Sequence, residues 1–207
     1  MPKDTFFNLA TEKREHILQV AIEEFAQYTY HKASISRIVE KAGIAKGSFY
    51  QYFQDKKDLF VYIMENSAQK KMTYLAATLQ SIDTHPFFQI VEELSLAGIQ
   101  FAKDHPLLSK ISDDFMKEPN IGLKKQILGD NLPKSYEFFE MLLKKAAEKG
   151  EIKADIDYKI VAILITNGIT ALGEHHIHEN SDSDKYVEDI MQSIRKMLRI
   201  LENGIKN

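Results

Sequence analysis

The stretch Ser34-Ile-Ser-Arg-Ile-Val-Glu-Lys-Ala-Gly-Ile-Ala-Lys-Gly-Ser-Phe-Tyr-Gln-Tyr-Phe53 decides how the rest of the chain is read. Ser34 suits an N-cap, because its hydroxyl can accept a hydrogen bond from an orphan amide of the first helical turn. Ile35, Ile38, Val39 and Ala42 recur at i, i+3, i+4 and i+7, one face of a short helix. Gly43 ends that helix, since glycine takes the left-handed conformation past a helix C-terminus without a Cβ penalty. Ile44 is then expected to plug the corner. A second helix resumes near Lys46, with Phe49 and Phe53 as its buried side. Two short helices joined by a glycine turn form a helix-turn-helix, whose second helix can enter a DNA major groove.

At about 100° per residue, the face opposite Phe49 and Phe53 carries Gly47, Ser48, Gln51 and Tyr52, with Lys46 at the N-terminal end. Gly47 lets backbone approach the bases. Ser48 can bond to several base edges, and Gln51 can pair with adenine N6 and N7. Lys46 can meet a phosphate or a guanine, and Tyr50 and Tyr52 offer hydroxyls to phosphates. Lys56 would sit at the start of the next helix, where amides and dipole also favour a phosphate. Ser34, Ser36 and Arg37 of the first helix complete the candidate DNA contacts. The same stretch also fits two core-forming helices without a nucleic-acid role.

The segment Ala42-Gly-Ile-Ala-Lys-Gly-Ser-Phe-Tyr-Gln-Tyr-Phe-Gln-Asp-Lys-Lys-Asp-Leu59 resembles the signature of the tetracycline-repressor (TetR) family. So does the preceding Lys13-Arg-Glu-His-Ile-Leu-Gln-Val-Ala-Ile-Glu-Glu-Phe25. The likeness is strong from about residue 8 to 70; the remainder matches only in length and helical character. It implies an all-α homodimeric regulator. A three-helix DNA-binding domain would span residues 8–57, and an effector-binding and dimerisation domain residues 58–207, about nine helices in all. It further implies a palindromic double-stranded DNA operator and a small-molecule effector that releases it, with no enzymatic activity and no cofactor.

Composition sets wide bounds. The 207 residues leave room for one domain or two small ones, and 44% apolar with 28% charged residues is ordinary for a soluble globular chain. The absence of cysteine excludes disulfides, cysteine nucleophiles and cysteine-ligated metals. The net charge is −3, but residues 1–57 hold nine Lys/Arg against seven Asp/Glu, consistent with one end facing phosphates. No signal-peptide-like run opens the sequence. The most apolar stretch, Ile160 to Leu172, is short for a membrane span and contains Thr166, Asn167 and Thr170, so a cytoplasmic protein is expected.

Taken in order, Met1 to Ala10 reads as a partly ordered tail. A helix follows from Thr11 with Ile17, Val20, Ala21, Phe25 and Tyr28 inward. A helix from about Lys56 to Ile82 would cross both domains as a lever. Pro86 opens the next helix, and Leu107 to Phe115 forms a short one. Ile121 to Leu128 is ambiguous. Pro133 opens a helix to Gly150, the eighth runs from Asp157 to about His178, and Asn180 to Asp184 leads into the ninth. The eighth and ninth helices, paired with their two-fold mates, would make a four-helix dimer interface.

Asn167, Thr170 and Glu174 form a polar line on the largely apolar eighth helix. Asn167 and Thr170 could anchor an effector among Phe101, Phe115, Tyr136, Phe139 and Met141, whose character favours an apolar or aromatic ligand. The alternative is a hydrogen bond to a neighbouring helix, or Thr170 bonding back to its own backbone. In Glu174-His175-His176-Ile-His178-Glu179, two pairs have the i, i+4 spacing of metal ligands but no third ligand is evident, so a solvated helix end is the better account and no metal is expected. No nucleophile elbow or phosphate-cradling loop is present. Two other readings keep the all-α fold: a DNA-binding protein without an effector, and a small-molecule carrier.

Overall fold

The structure, a computed structural model, describes residues 1–129, 134–177 and 183–205. The described residues form eleven α-helices and no strand. They divide into two compact units, Met1–Lys70 with His105–Leu132, and Lys71–Asp104 with Pro133–Asn207. The segment from His105 clusters with the N-terminal helices.

The first unit holds α1 (Asp4–Phe7), α2 (Thr11–Lys32), α3 (Ile35–Lys41), α4 (Lys46–Tyr52), α7 (Pro106–Met116) and α8 (Ile121–Leu128). It also holds the beginning of α5 (Lys56–Gln80), as far as Lys70. Its core is aromatic: Phe6, Phe25, Phe49, Phe53 and Phe60 are fully buried with Ile17, Ile38, Leu59 and Ile63. Burying each such side chain is worth roughly 1.5–3 kcal/mol. Long α2 lies along α7, with Phe115 against Phe60 at 5.0 Å and Tyr30 at 6.0 Å between ring centres.

Two expectations change here, and one backbone feature is new. The first ten residues are not a loose tail, because α1 inserts Phe6 fully into the core. The ambiguous Ile121 to Leu128 is helical, and Asn120 caps it by accepting from the Leu123 amide at 3.0 Å. In α2, Thr29 breaks helical geometry at φ 58°, ψ 172° while the chain continues helically to Lys32.

The second unit holds the rest of α5, with α6 (Phe87–Asp104), α9 (Lys134–Glu148), α10 (Tyr158–Ile177) and α11 (Ser183–Ile205). Contacts run from α6 to α9, α9 to α10, α10 to α11 and α11 back to α6, a closed four-helix arrangement. Each helix supplies apolar residues at i, i+3 or i+4: Ile90, Val91 and Leu94; Leu142, Leu143 and Ala146; Val161, Ala162 and Ile165; Ile190, Met191, Ile194 and Leu198. Arg195 Nε donates to Glu92 at 2.5 Å, tying α11 to α6. Pro133, His178, Glu179 and the Asn180-Ser-Asp start of the last connection lie outside the described residues.

Candidate nucleic-acid interface

The turn between α3 and α4 forms as its glycine dictates. Gly43 stands at φ +64°. The Ile44 amide donates to Val39 O at 3.0 Å and the Gly43 amide to Glu40 O at 3.2 Å, the paired bonds of a Schellman motif. Ile44 is half-buried at the corner. Phe49 and Phe53 are fully buried, which fixes the roll of α4. Lys46, Gly47, Tyr50 and Gln51 are consequently exposed, and Ser48 is half-exposed. Open space surrounds the position a Cβ would occupy at Gly47, so that patch is unobstructed.

Other expected contacts are placed differently. Tyr52 is only 7% exposed and lies against Phe6, so it does not share the face of Gln51. The reason is that α1, unread in the sequence, covers the end of α4. Ser34 sits at the N-cap of α3, but its side chain makes no cap bond; its amide donates to Glu24 Oε1 at 2.9 Å instead. Arg37 is also turned inward. Its Nε donates to Glu24 Oε1 at 2.8 Å, its Nη2 to Lys32 O at 2.8 Å, and its guanidinium lies 4.1 Å from the centre of the Tyr28 ring. Ser36 is exposed and accepts from Lys46 Nζ at 3.4 Å.

Lys56 is half-buried, and its ammonium donates to His31 O and Ala33 O, each at 3.1 Å, 5.0 Å from the Tyr30 ring centre. Burial lowers its pKa, with the Glu24 charge opposing. This amine braces the α2–α3 junction from within.

Glu24, unassigned from the sequence, is the organising charge of this region. It is fully buried and its Oε2 has no hydrogen-bond partner among the described residues. A signal existed. Position 24 falls at i+3 and i+4 from the inward Ala21 and Val20, and an acidic residue on an apolar stripe calls for a buried partner.

The expected effector residues do not all come together. Phe115 belongs to the first unit, whereas Phe101, Tyr136, Phe139, Met141, Asn167 and Thr170 belong to the second. Phe101 is buried beside Tyr74, Phe139 is half-buried against the bundle core, and Met141 is exposed. Tyr136 donates its hydroxyl to Asn167 Oδ1 at 3.1 Å. Asn167 and Thr170 are exposed, not buried, because α10 turns Ile160, Leu164, Asn167 and Ala171 outward together. Thr170 donates to its own backbone at Thr166 O, 3.0 Å away. A pocket of about 160 Å³ occurs in the first unit over Phe25, Tyr30, Phe60 and Phe115, below the ~300–1,000 Å³ common for small-molecule sites.

Glu174 and His175 are exposed, and His176 Nε2 lies 2.9 Å from Ser193 Oγ. Among the described residues no three metal-ligating side chains converge, and no helix is long and apolar enough to cross a membrane.

A helix pair cornered by glycine, with a bare polar face on its second member, defines a helix-turn-helix protein. Residues 17–63 match the family model of bacterial regulatory proteins, tetR family. A crystal structure of a TetR family transcriptional regulator from Chloroflexus aurantiacus J-10-FL is 31% identical, with a TM-score of 0.80 over 100% of this chain and 99% of that one. The fatty acid metabolism regulator protein of Bacillus subtilis (strain 168) is 26% identical over 94% of this chain and 96% of its own length. FadR from Bacillus subtilis, crystallised in complex with stearoyl-CoA, shares the fold at a TM-score of 0.70 and 19% identity over 92% of this chain and 98% of that one. The chain belongs to the TetR family. It is a transcriptional regulator with a DNA-binding helix-turn-helix.

Proposed function

We propose that this regulator binds a near-palindromic operator as a homodimer and represses transcription until a small, largely apolar or aromatic effector releases it. The observation that carries the reading is the division of α4: Phe49 and Phe53 anchored in the core, Lys46, Gly47 and Gln51 bare. Gln51 can read adenine, Ser48 a base edge, and Lys46 and Tyr50 a guanine or phosphates.

Homodimerisation is supported by α10 and α11. Ile160, Leu164 and Ile200 are 55%, 53% and 74% exposed, large apolar side chains at odds with a solvated surface. A homodimer is also what operator binding needs, since two copies of a recognition helix must reach successive major-groove faces about 34–36 Å apart.

The effector reading draws on buried Phe101, half-buried Phe138 and Phe139, and the Tyr136–Asn167 pair in the second unit. The stearoyl-CoA of the FadR relative carries a long apolar acyl chain, and that part of it agrees with an apolar effector. Release is then a population shift, in which the effector binds better to the form whose recognition helices are wrongly spaced. The site of action is the cytoplasm, where the chromosome of a bacterial regulator lies.

Fluorescence anisotropy with duplexes recovered from a random pool, repeated across salt concentrations and with an acyl-CoA panel, tests the proposal. Expected are affinity that falls steeply with salt and release by at least one acyl-CoA. Binding indifferent to salt would contradict the DNA reading, and no release by any acyl-CoA, free fatty acid or aromatic compound added to the panel would contradict the effector class.

A further inference from the structure

We infer that residues 3–6 are a built-in C-terminal cap of the recognition helix, holding α4 in its DNA-reading form without touching DNA. This rests on the DNA-binding reading above for its functional consequence, but the cap itself is a feature of the free protein.

A helix of seven residues is marginal in isolation, and its last four carbonyls have no intrahelical donor. In α4 those are the carbonyls of Phe49, Tyr50, Gln51 and Tyr52. Phe49 O receives the Phe53 amide at 2.8 Å. The other three each receive a donor from the start of the chain. Lys3 Nζ donates to Tyr50 O at 2.7 Å, Thr5 Oγ1 to Gln51 O, and the Lys3 amide to Tyr52 O at 2.8 Å. Each carbonyl of the last turn from Phe49 to Tyr52 is therefore satisfied.

Charge and packing act in the same sense. The last turn of α4 carries no basic residue of its own. The Lys3 ammonium supplies the positive charge that the negative end of a helix favours. Phe6 anchors the segment: it is fully buried, with ring centres 4.7 Å from Phe53, 6.1 Å from Tyr52 and 5.9 Å from Tyr62. The donors thus hang from a pinned side chain and reach Gln51 through its own carbonyl, leaving its side chain exposed.

Lys3 and Thr5 are accordingly positioning residues. Fraying of the last turn would lower the fraction of binding-competent α4, and apparent affinity falls in proportion to that fraction. Losing two neutral or charge-assisted bonds shifts the closed-to-frayed ratio of the last turn by about tenfold, which sets the upper limit of the loss in affinity. The salt dependence should not move, since no phosphate contact is lost.

The test compares the full-length wild type with the double variant Lys3→Met, Thr5→Val and with Thr5→Ser. Each is titrated against the duplex that the wild type recovers from a random pool, across salt concentrations. Hydrogen exchange of the free proteins is followed at the amides of Phe49 to Phe53. Expected is a loss of up to about tenfold, the same at every salt concentration with an unchanged log–log slope, faster exchange in the last turn of α4, and near wild-type behaviour for Thr5→Ser. A slope reduced by about one phosphate contact, without faster exchange, would make Lys3 a direct DNA ligand and overturn the inference. Unchanged affinity and exchange would overturn it as well. Failure of the wild type itself to bind duplex would refute the DNA-binding proposal, while exchange in the free protein would still decide the cap.

Discussion

Glu24 and Arg37 join α2 to α3 through a bond of 2.8 Å from Arg37 Nε to a carboxylate oxygen that is fully buried. The same oxygen accepts the Ser34 amide, so one side chain of α2 fixes both the start and the first turn of α3. Removing the guanidinium strands a buried carboxylate, whereas removing both partners does not. Arg37→Met should lower stability measurably, by less than breaking a fully buried pair does, because Arg37 is 39% exposed. The double variant Glu24→Leu, Arg37→Met should recover part of that loss, the Ser34 amide being left without its acceptor. Urea unfolding of the four members of the cycle checks it; a double variant as unstable as the sum of the singles would show that the pair is uncoupled.

Thr29 holds a backbone conformation, φ 58° and ψ 172°, that is essentially reserved for glycine. Its side chain is exposed, so little packing is lost on its removal. Thr29→Gly should stabilise the protein by about 1 kcal/mol, and Thr29→Ala should not, because a Cβ keeps the strain. Thermal unfolding of the two variants separates strain relief from simple truncation.

Lys56 gives its protons to two carbonyls of the α2–α3 junction. Lys56→Met leaves both without that donor, and operator affinity should fall about three- to tenfold through disorder of the junction. The slope of affinity against salt should stay that of the wild type. A slope lower by about one contact would return Lys56 to the list of phosphate ligands.

Glu118 is held below its ordinary value of 4.5, first by the backbone amide of Asn120 and then by His31, whose Nε2 lies 2.7 Å from its carboxylate. A carboxyl group whose pKa is depressed on folding contributes stability above its unfolded value. That contribution is lost as pH falls through the folded one. Unfolding measured against pH should therefore show the wild type more stable than Glu118→Gln near neutrality, with the gap closing below about pH 4.5. A gap independent of pH would remove this group from the acid response.

Much of this fold was legible because local chemistry and global packing agree at the helix-turn-helix. The Gly43 turn, the Phe49 and Phe53 anchors and the exposed Gly47 and Gln51 follow from spacing alone. The bundle helices were legible for the same reason: Leu142, Leu143 and Ala146 mark one face at helical intervals. What escaped depends on contacts distant in sequence. Tyr52 lies on the polar side of α4 by angle, and α1, with Phe6 against its ring, covers it from far back in the chain. Arg37 reads as a phosphate ligand until Glu24 is placed beside it. Asn167 and Thr170 read as buried because α10 is apolar nearly all round, yet an apolar helix can expose Ile160 and Leu164 where another subunit is proposed to sit.

The face of α4 opposite Phe49 is proposed to lie on the floor of the major groove, and selection of duplexes from a random pool by wild type and Gln51→Ala tests that most directly. The account predicts a near-palindromic consensus for the wild type, and for the variant a lost preference at one position in each half-site, worth about 1–3 kcal/mol of discrimination. An identical consensus for both proteins, or no enrichment by either, would contradict it.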